Sequence, residues 1–225
     1  MKDVNQLAII GFTKMLVILP TLIFLPAWTF DYWQGWLCLF AFFTPVTFIT
    51  LYLMKKNPEL LARRTKAGVL AEKQTKQKIV QAIASIGFIC VFSISALDHR
   101  YHWSSPPVWA EFTGDILIVA GLAFVFWVFR VNSFTSGIIE VAENQRVISS
   151  GPYAIVRHPM YFGALVMLIG IPLSLGSLWG LLTIILMTAV LIWRLLDEER
   201  YLVKNLDGYA EYLRTVHYRL APLVW

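Results

Sequence analysis

The chain has 225 residues, of which 58% are apolar and 15% charged, and its mean hydropathy is +0.64. Soluble domains hold about 45–50% apolar and about 25% charged residues, so this composition excludes an ordinary water-soluble domain and points to a bilayer. The formal net charge is +5, but no aromatic interleaving or binding motif accompanies the basic residues, and no nucleic-acid partner is expected.

About 20 consecutive apolar residues cross a hydrocarbon core. Residues 7–28 form the first such run, interrupted by Lys14, Pro20 and Pro26. It lacks the small-residue cleavage site of a signal peptide, so it is expected to be a retained span. Residues 33–54, 79–97 and 114–131 supply three more. The run 160–193 is too long for one crossing, and Pro172, Ser174, Gly176 and Ser177 sit near its middle. It reads as two short spans folded into a hairpin with its tip at 172–178. Cys38 and Cys90 both fall inside spans without metal-ligand spacing, and read as small buried apolar residues.

The charges are distributed unevenly. The loop 55–78 carries eight cations (Lys55, Lys56, Arg63, Arg64, Lys66, Lys73, Lys76 and Lys78) against Glu59 and Glu72. Segments 130–158 and 194–225 add three and five cations, whereas 98–112 has only Arg100 and the hairpin tip has none. With Lys2, one side of the membrane collects seventeen of the 19. The positive-inside rule makes that side cytoplasmic. Six spans then put both termini there. Within the basic loop, Asn57-Pro58 suits a helix cap and first turn. On the other side, His99 and His102 lie in a Ser-Pro-rich segment read as irregular, where their spacing has no fixed meaning, and no metal site is expected. Trp103 and Trp109 fit an interfacial aromatic belt.

The connector 132–158 is polar and long for a passive loop, and long ordered loops are often functional. It ends in "GPYAIVRHPMYFG". Pro159 fits the first turn of a helix, so His158 falls at a helix N-terminus, where several N–H groups lack partners and the dipole end is positive. If the last span continues past Trp193, then Arg194, Asp197, Glu198 and Tyr201 share one helix face. Because the hairpin goes out and comes back, that face emerges beside His158.

Taken together, "GPYAIVRHPMYFG", an apolar hairpin, "RLLDEE" and "YAEYLRTV" resemble the C-terminal signature of the isoprenylcysteine carboxyl methyltransferase family of integral-membrane enzymes. The resemblance covers 132–225, and the N-terminal spans match only in hydrophobicity. It implies an all-α polytopic membrane protein with about six transmembrane helices, a C-terminal helical hairpin and a cytoplasmic terminal helix. Residues 1–131 would form the N-terminal helices, and 132–225 the cofactor-binding region. It further implies a cytoplasm-facing pocket for S-adenosyl-L-methionine. Tyr153, His158, Pro159, Met160 and Tyr161 fall on the family's cofactor-binding motif. Gln145, Arg146, Val147 and Ile148 fall on the strip along the nucleoside, and Glu140 aligns, across a gap, with a polar cofactor contact. Arg194 and Glu198 take the catalytic positions, with Arg194 meeting the substrate carboxylate and Glu198 the cofactor. The implied acceptor is a prenylated cysteine carboxylate or similar lipophilic molecule entering from the bilayer, with membrane lipids as the other partner and no metal.

Elementary chemistry is compatible with those roles. A helix N-terminus and His158 suit a carboxylate, Glu198 suits a positive group, and the tyrosines offer an aromatic face. Each residue also has a plainer reading. Arg157 and Arg200 are candidates for interfacial anchors, His158 for a simple helix cap, and Glu198 for an i,i+4 partner of Arg194. Tyr209 and Tyr212 read as packing for the terminal helix. Three alternatives stay open: a phospholipid N-methyltransferase, an NADPH-dependent sterol-type reductase, and a non-enzymatic membrane sensor. No Gly-x-Gly-x-x-Gly fingerprint, zinc motif or Ser-His-Asp set is present, so a soluble dinucleotide fold is not expected.

Overall fold

A computed structural model describes residues 2–72 and 74–225. Lys73, one of the basic loop's eight cations, lies outside the described residues, and so do the side chains of Lys2 and Asp3. The described chain is all-helical: α1 (Lys2–Ala27), α2 (Trp33–Lys56), α3 (Pro58–Thr65), α4 (Thr75–Tyr101), α5 (Val108–Val131), α6 (Pro159–Ser174), α7 (Trp179–Asn205) and α8 (Tyr209–Thr215). A 3-10 turn occupies Gly151–Ala154. Five of these helices are long and apolar enough to cross a membrane, and α6 is apolar but only 16 residues long. The protein is thus a polytopic integral membrane protein of the expected class, with five helices long enough to span where about six were expected, because the first arm of the hairpin is too short to qualify.

Local signals in the sequence explain the boundaries. Asn57 accepts a hydrogen bond from the Leu60 N–H at 3.1 Å, and Pro58 opens α3. Such a cap contributes roughly 1 kcal/mol. The hairpin turns where expected, with Gly176 at φ +67° between α6 and α7. The 98–112 region departs from expectation. Its first turn is helical through Tyr101, because the helix runs on until His102 takes a left-handed conformation. His99 is therefore a helical residue, and its ring stacks on Tyr32 at 3.6 Å between centroids.

Glycine holds α5 against α6. Gly114 and Gly121 on α5 meet Gly170 and Gly163 on α6 at seven-residue spacing. A Cβ at Gly121 would lie 2.6 Å from the Gly163 carbonyl oxygen, and one at Gly170 would lie 2.6 Å from that of Gly114. Backbones this close suit membrane helices, where small residues replace the hydrophobic drive for association. Elsewhere the bundle core is aliphatic and aromatic, with Ile23, Val91, Ile118 and Ile171 fully buried. Val17, Phe40, Ile116 and Ile185 face outward, as lipid-facing positions should. Trp28, Trp33, Trp36, Trp103, Trp109 and Trp179 are exposed at helix ends opposite the basic loop. At the basic end a second apolar cluster of Leu202, Leu206, Tyr209, Tyr212 and Val216 packs the end of α7 against α8, with Val141 and Val147 of the connector on its flank.

Candidate functional site

At the basic end a cleft opens between the 132–150 connector, the start of α6 and the end of α7. It is lined by Glu140, Gln145, Arg146, Val147, Ile148, Tyr153, His158, Pro159, Met160, Tyr161, Arg194 and Glu198, so every site residue expected from the sequence borders one space. The hairpin does this work. It separates His158 from Glu198 by 40 residues of chain, then returns both to the same end. Tyr161 is the hinge point between them, donating from its hydroxyl to Glu198 Oε2 at 2.6 Å and accepting from Arg194 Nε at 3.1 Å. Glu198 and Arg194 are therefore joined through a tyrosine, not as the bare i,i+4 pair that was one reading of the sequence.

His158 occupies the N-cap position of α6, but its side chain makes no capping bond. It is 5% exposed, and Nε2 lies 3.4 Å from Glu199 Oε1 without hydrogen-bond geometry. Among the described residues four buried side-chain atoms lack a hydrogen-bond partner, and two of them, His158 Nε2 and Thr135 Oγ1, belong to residues lining this cleft. Buried polar atoms are normally paired, but His158 Nε2 faces the Glu199 carboxylate and the other two such atoms, Asn5 Oδ1 and Glu111 Oε2, lie outside the cleft, so these atoms give the cleft a polar lining and do not by themselves mark a ligand site. Burial pushes the Tyr153 hydroxyl well above its ordinary value, with a hydrogen bond to Asn132 opposing the shift, so it remains a donor at neutral pH. Ser136 Oγ donates to Glu140 at 3.1 Å, which places that carboxylate on the connector side of the cleft.

Arg157 is not a free interfacial anchor, and it also lines the cleft. Its guanidinium donates to the Val216 and Leu213 carbonyls at 2.6 and 2.8 Å and to Glu199 at 3.2 Å, and Glu199 also accepts from Arg219. The backbone N–H groups of Arg157 and His158 donate to the Tyr218 and Arg219 carbonyls at 2.9 Å. These bonds strap the segment after α8 across the cleft's base. Arg200 is 75% exposed and pairs with Asp197, as an interfacial side chain would. Tyr212 is buried and donates to the Tyr153 carbonyl at 2.8 Å; both it and Tyr209 also line the cleft.

Sequence reasoning missed several neighbours. Thr135 and Ser136 come from the polar run "NSFTS", whose density of hydroxyls was the available signal. Glu72 and Gln77 reach Arg194 from 122 and 117 residues away, and nothing local announces them. Arg64, at the junction of the connector and α6, donates to the Ser136 carbonyl at 2.7 Å. Burial draws its guanidinium down from the ordinary value, with Tyr161 opposing.

A second cavity, of about 300 Å3, lies between α4, α6 and α7. Val80, Ala84, Leu168, Met187, Val190 and Leu191 give it apolar walls. It shares Ser136, Met160, Tyr161 and Arg194 with the polar cleft, so the two spaces meet at those four residues.

Residues 109–207, from the start of α5 to the end of α7, match the family model described as phospholipid methyltransferase. The matched stretch contains all the site residues expected from the sequence, and the family points to methyl transfer. Among curated proteins, Delta(14)-sterol reductase TM7SF2 of Mus musculus is 33% identical over 90 residues, 39% of this chain. The match spans only 22% of that relative's length.

Proposed function

We propose that the protein is an integral-membrane methyltransferase that uses S-adenosyl-L-methionine, acts on the cytoplasmic side, and O-methylates the carboxylate of a lipophilic acceptor of the prenylated-cysteine kind. The observation that carries this reading is the meeting of a polar cleft and an apolar cavity at Tyr161 and Arg194. A water-soluble donor suits the first and a lipid-borne acceptor the second. The family match supports the reaction class.

The donor set fits an adenosyl sulfonium by chemistry. Glu198 and Glu140 offer negative charge to an ammonium or to ribose hydroxyls, and the Thr135 hydroxyl and the His158 ring add polar atoms to the lining. By volume the cleft must open, since its inner space is about 90 Å3 and ligand pockets usually run to roughly 300–1,000 Å3. When bound, S-adenosyl-L-methionine supplies an electrophilic methyl group and leaves as a neutral thioether. Tyr161 holds the Glu198 carboxylate and the Arg194 guanidinium in register. Arg194 presents a planar fork suited to a carboxylate. A carboxylate with an ordinary pKa near 4 is already ionised at pH 7, so no residue need remove a proton. Alignment of donor and acceptor then supplies the acceleration, a term that can reach roughly 7–11 kcal/mol.

A sterol-type reductase is the second reading, favoured by the partial similarity to the mouse sterol reductase. Calorimetric titration of the purified protein with S-adenosylhomocysteine and with NADPH separates them. Saturable binding of the first and none of the second is expected, and the reverse result overturns the proposal. Transfer of labelled methyl to a farnesylcysteine analogue, compared with phosphatidylethanolamine, then tests the acceptor class.

A further inference from the structure

Arg194 stands where the two cavities meet, yet its guanidinium is already engaged on every side. Nη1 donates to Glu72 at 2.7 Å and to Gln77 at 3.1 Å, Nη2 donates to the Gly137 carbonyl at 3.1 Å, and Nε donates to Tyr161. Three of these partners are neutral. Glu72 is the carboxylate among them, and it makes the shortest bond. It comes from the turn 66–72 after α3, outside the apolar spans, where Leu70 is 98% exposed. The Glu72 side chain is nevertheless only 1% exposed. A surface turn therefore reaches inward to place one carboxylate on the arginine at the cavity junction.

We propose that Glu72 is a specificity-determining residue: it occupies the position of the acceptor's anionic head group and gives it up by exchange. The inference rests on Arg194 being the acceptor contact, as in the function proposed above. Leaving a buried charge unpaired is strongly unfavourable, so an empty site needs a resident anion on Arg194. Exchange of one carboxylate for another never strips the arginine. The displaced Glu72 returns to water with its turn, where its hydration is restored. An uncharged head group offers no such replacement and is rejected by the ion pair it would have to break. Glu72 thus acts as a competitor that only an anionic acceptor can replace. A purely structural role, holding Arg194 in place for the acceptor, predicts the opposite effect when the charge is removed.

The test uses the full chain in lipid nanodiscs and the substitution Glu72→Gln, which keeps an oxygen for Nη1 and removes the charge. The probes are N-acetyl-S-farnesylcysteine and its uncharged amide, with S-adenosylhomocysteine as the control for an intact cleft. The variant should bind the carboxylate probe on the order of tenfold more tightly, the gain of a charge-assisted bond no longer contested. S-adenosylhomocysteine affinity should not change. Equal or weaker binding of the carboxylate by the variant overturns the proposal. A second measurement needs no substitution: in the wild-type protein the carboxylate probe should speed hydrogen exchange in residues 66–72, and the amide should not. Protection of that turn by the carboxylate, or no change on saturation, also overturns it. If S-adenosylhomocysteine binds and neither farnesyl probe does, the acceptor class is wrong and this inference falls with it. If the carboxylate binds with the wrong sign, only the role of Glu72 falls.

Discussion

The two ends of the bundle each bury a polar cluster, and they differ in what borders them: the Asp98 cluster packs into a turn, although Glu111 Oε2 near it is buried without a partner, while the cluster at the basic end lines a cleft. At the end opposite the basic loop, Asp98 accepts from the Ser104 N–H and hydroxyl at 2.7 and 2.6 Å, from the Ser177 hydroxyl at 2.6 Å, and from the Trp179 N–H at 3.4 Å. Ser177 in turn accepts from the Gly180 N–H, at the start of α7. Oδ2 ties α4 to the hairpin turn, and Oδ1 holds the Ser104 N–H just beyond α4. At the basic end, Thr135 Oγ1 is buried without a hydrogen-bond partner and His158 Nε2 faces Glu199 at 3.4 Å, and both residues line the polar cleft. Buried polarity alone therefore does not mark a site in this molecule. Around Asp98 the polar groups fix a turn, and at the basic end they line a cleft.

The largest effect expected from this contrast is on stability. Asp98→Ala would leave the fully buried Ser177 hydroxyl and the half-buried Ser104 hydroxyl without their acceptor. Each orphaned group costs roughly 1–3 kcal/mol, so a loss of about 3 kcal/mol is expected, read as a lower unfolding temperature in detergent. S-adenosylhomocysteine affinity should be unchanged, and a fall in affinity at an unaltered unfolding temperature would reverse the assignment of the two ends. Glu198→Gln should behave in the opposite way. The amide preserves the shape and can still accept from Tyr161, but the negative charge is gone. A charge-assisted bond contributes roughly 1.5–3 kcal/mol, so affinity should fall by tens of fold to about a hundredfold with the unfolding temperature unmoved. Retained affinity would show that this carboxylate serves only Tyr161.

The difference between the ends was partly legible in the sequence. Asn57-Pro58 announced α3, and Pro172 with Gly176 announced the hairpin, because caps and turns depend on residues close in the chain. The juxtaposition of His158 with Glu198 was also readable, since one hairpin and one helical period suffice to derive it. What remained hidden depends on packing between distant elements. Nothing near Asp98 signals its bonds to Ser177 and Trp179, about 80 residues on, and the 98–112 stretch read as irregular although its first turn is helical. Arg194 was readable as a polar residue at the mouth of a span, but the carboxylate it grips belongs to a turn that charge counting had treated only as part of a basic loop. The strap at Tyr218 and Arg219 rests in part on backbone carbonyls, which carry no side-chain signature.

The smallest expected effect sharpens the contrast at the basic end itself. Arg200 and Arg194 lie on the same helix, six residues apart, and both meet carboxylates. Arg194 is nearly enclosed, while Arg200 is 75% exposed and holds Asp197 at 3.3 Å. Exposed pairs of this kind contribute roughly 0–1 kcal/mol, because water screens the charges and two long side chains must be ordered. Asp197 does not depend on Arg200, since it also accepts from Gln77 at 2.9 Å. Arg200→Ala should therefore leave unfolding temperature and S-adenosylhomocysteine affinity within experimental error of wild type. A clear loss of affinity would mean that the cleft's field extends to its rim, and that enclosure is not what separates the working arginine from its neighbour.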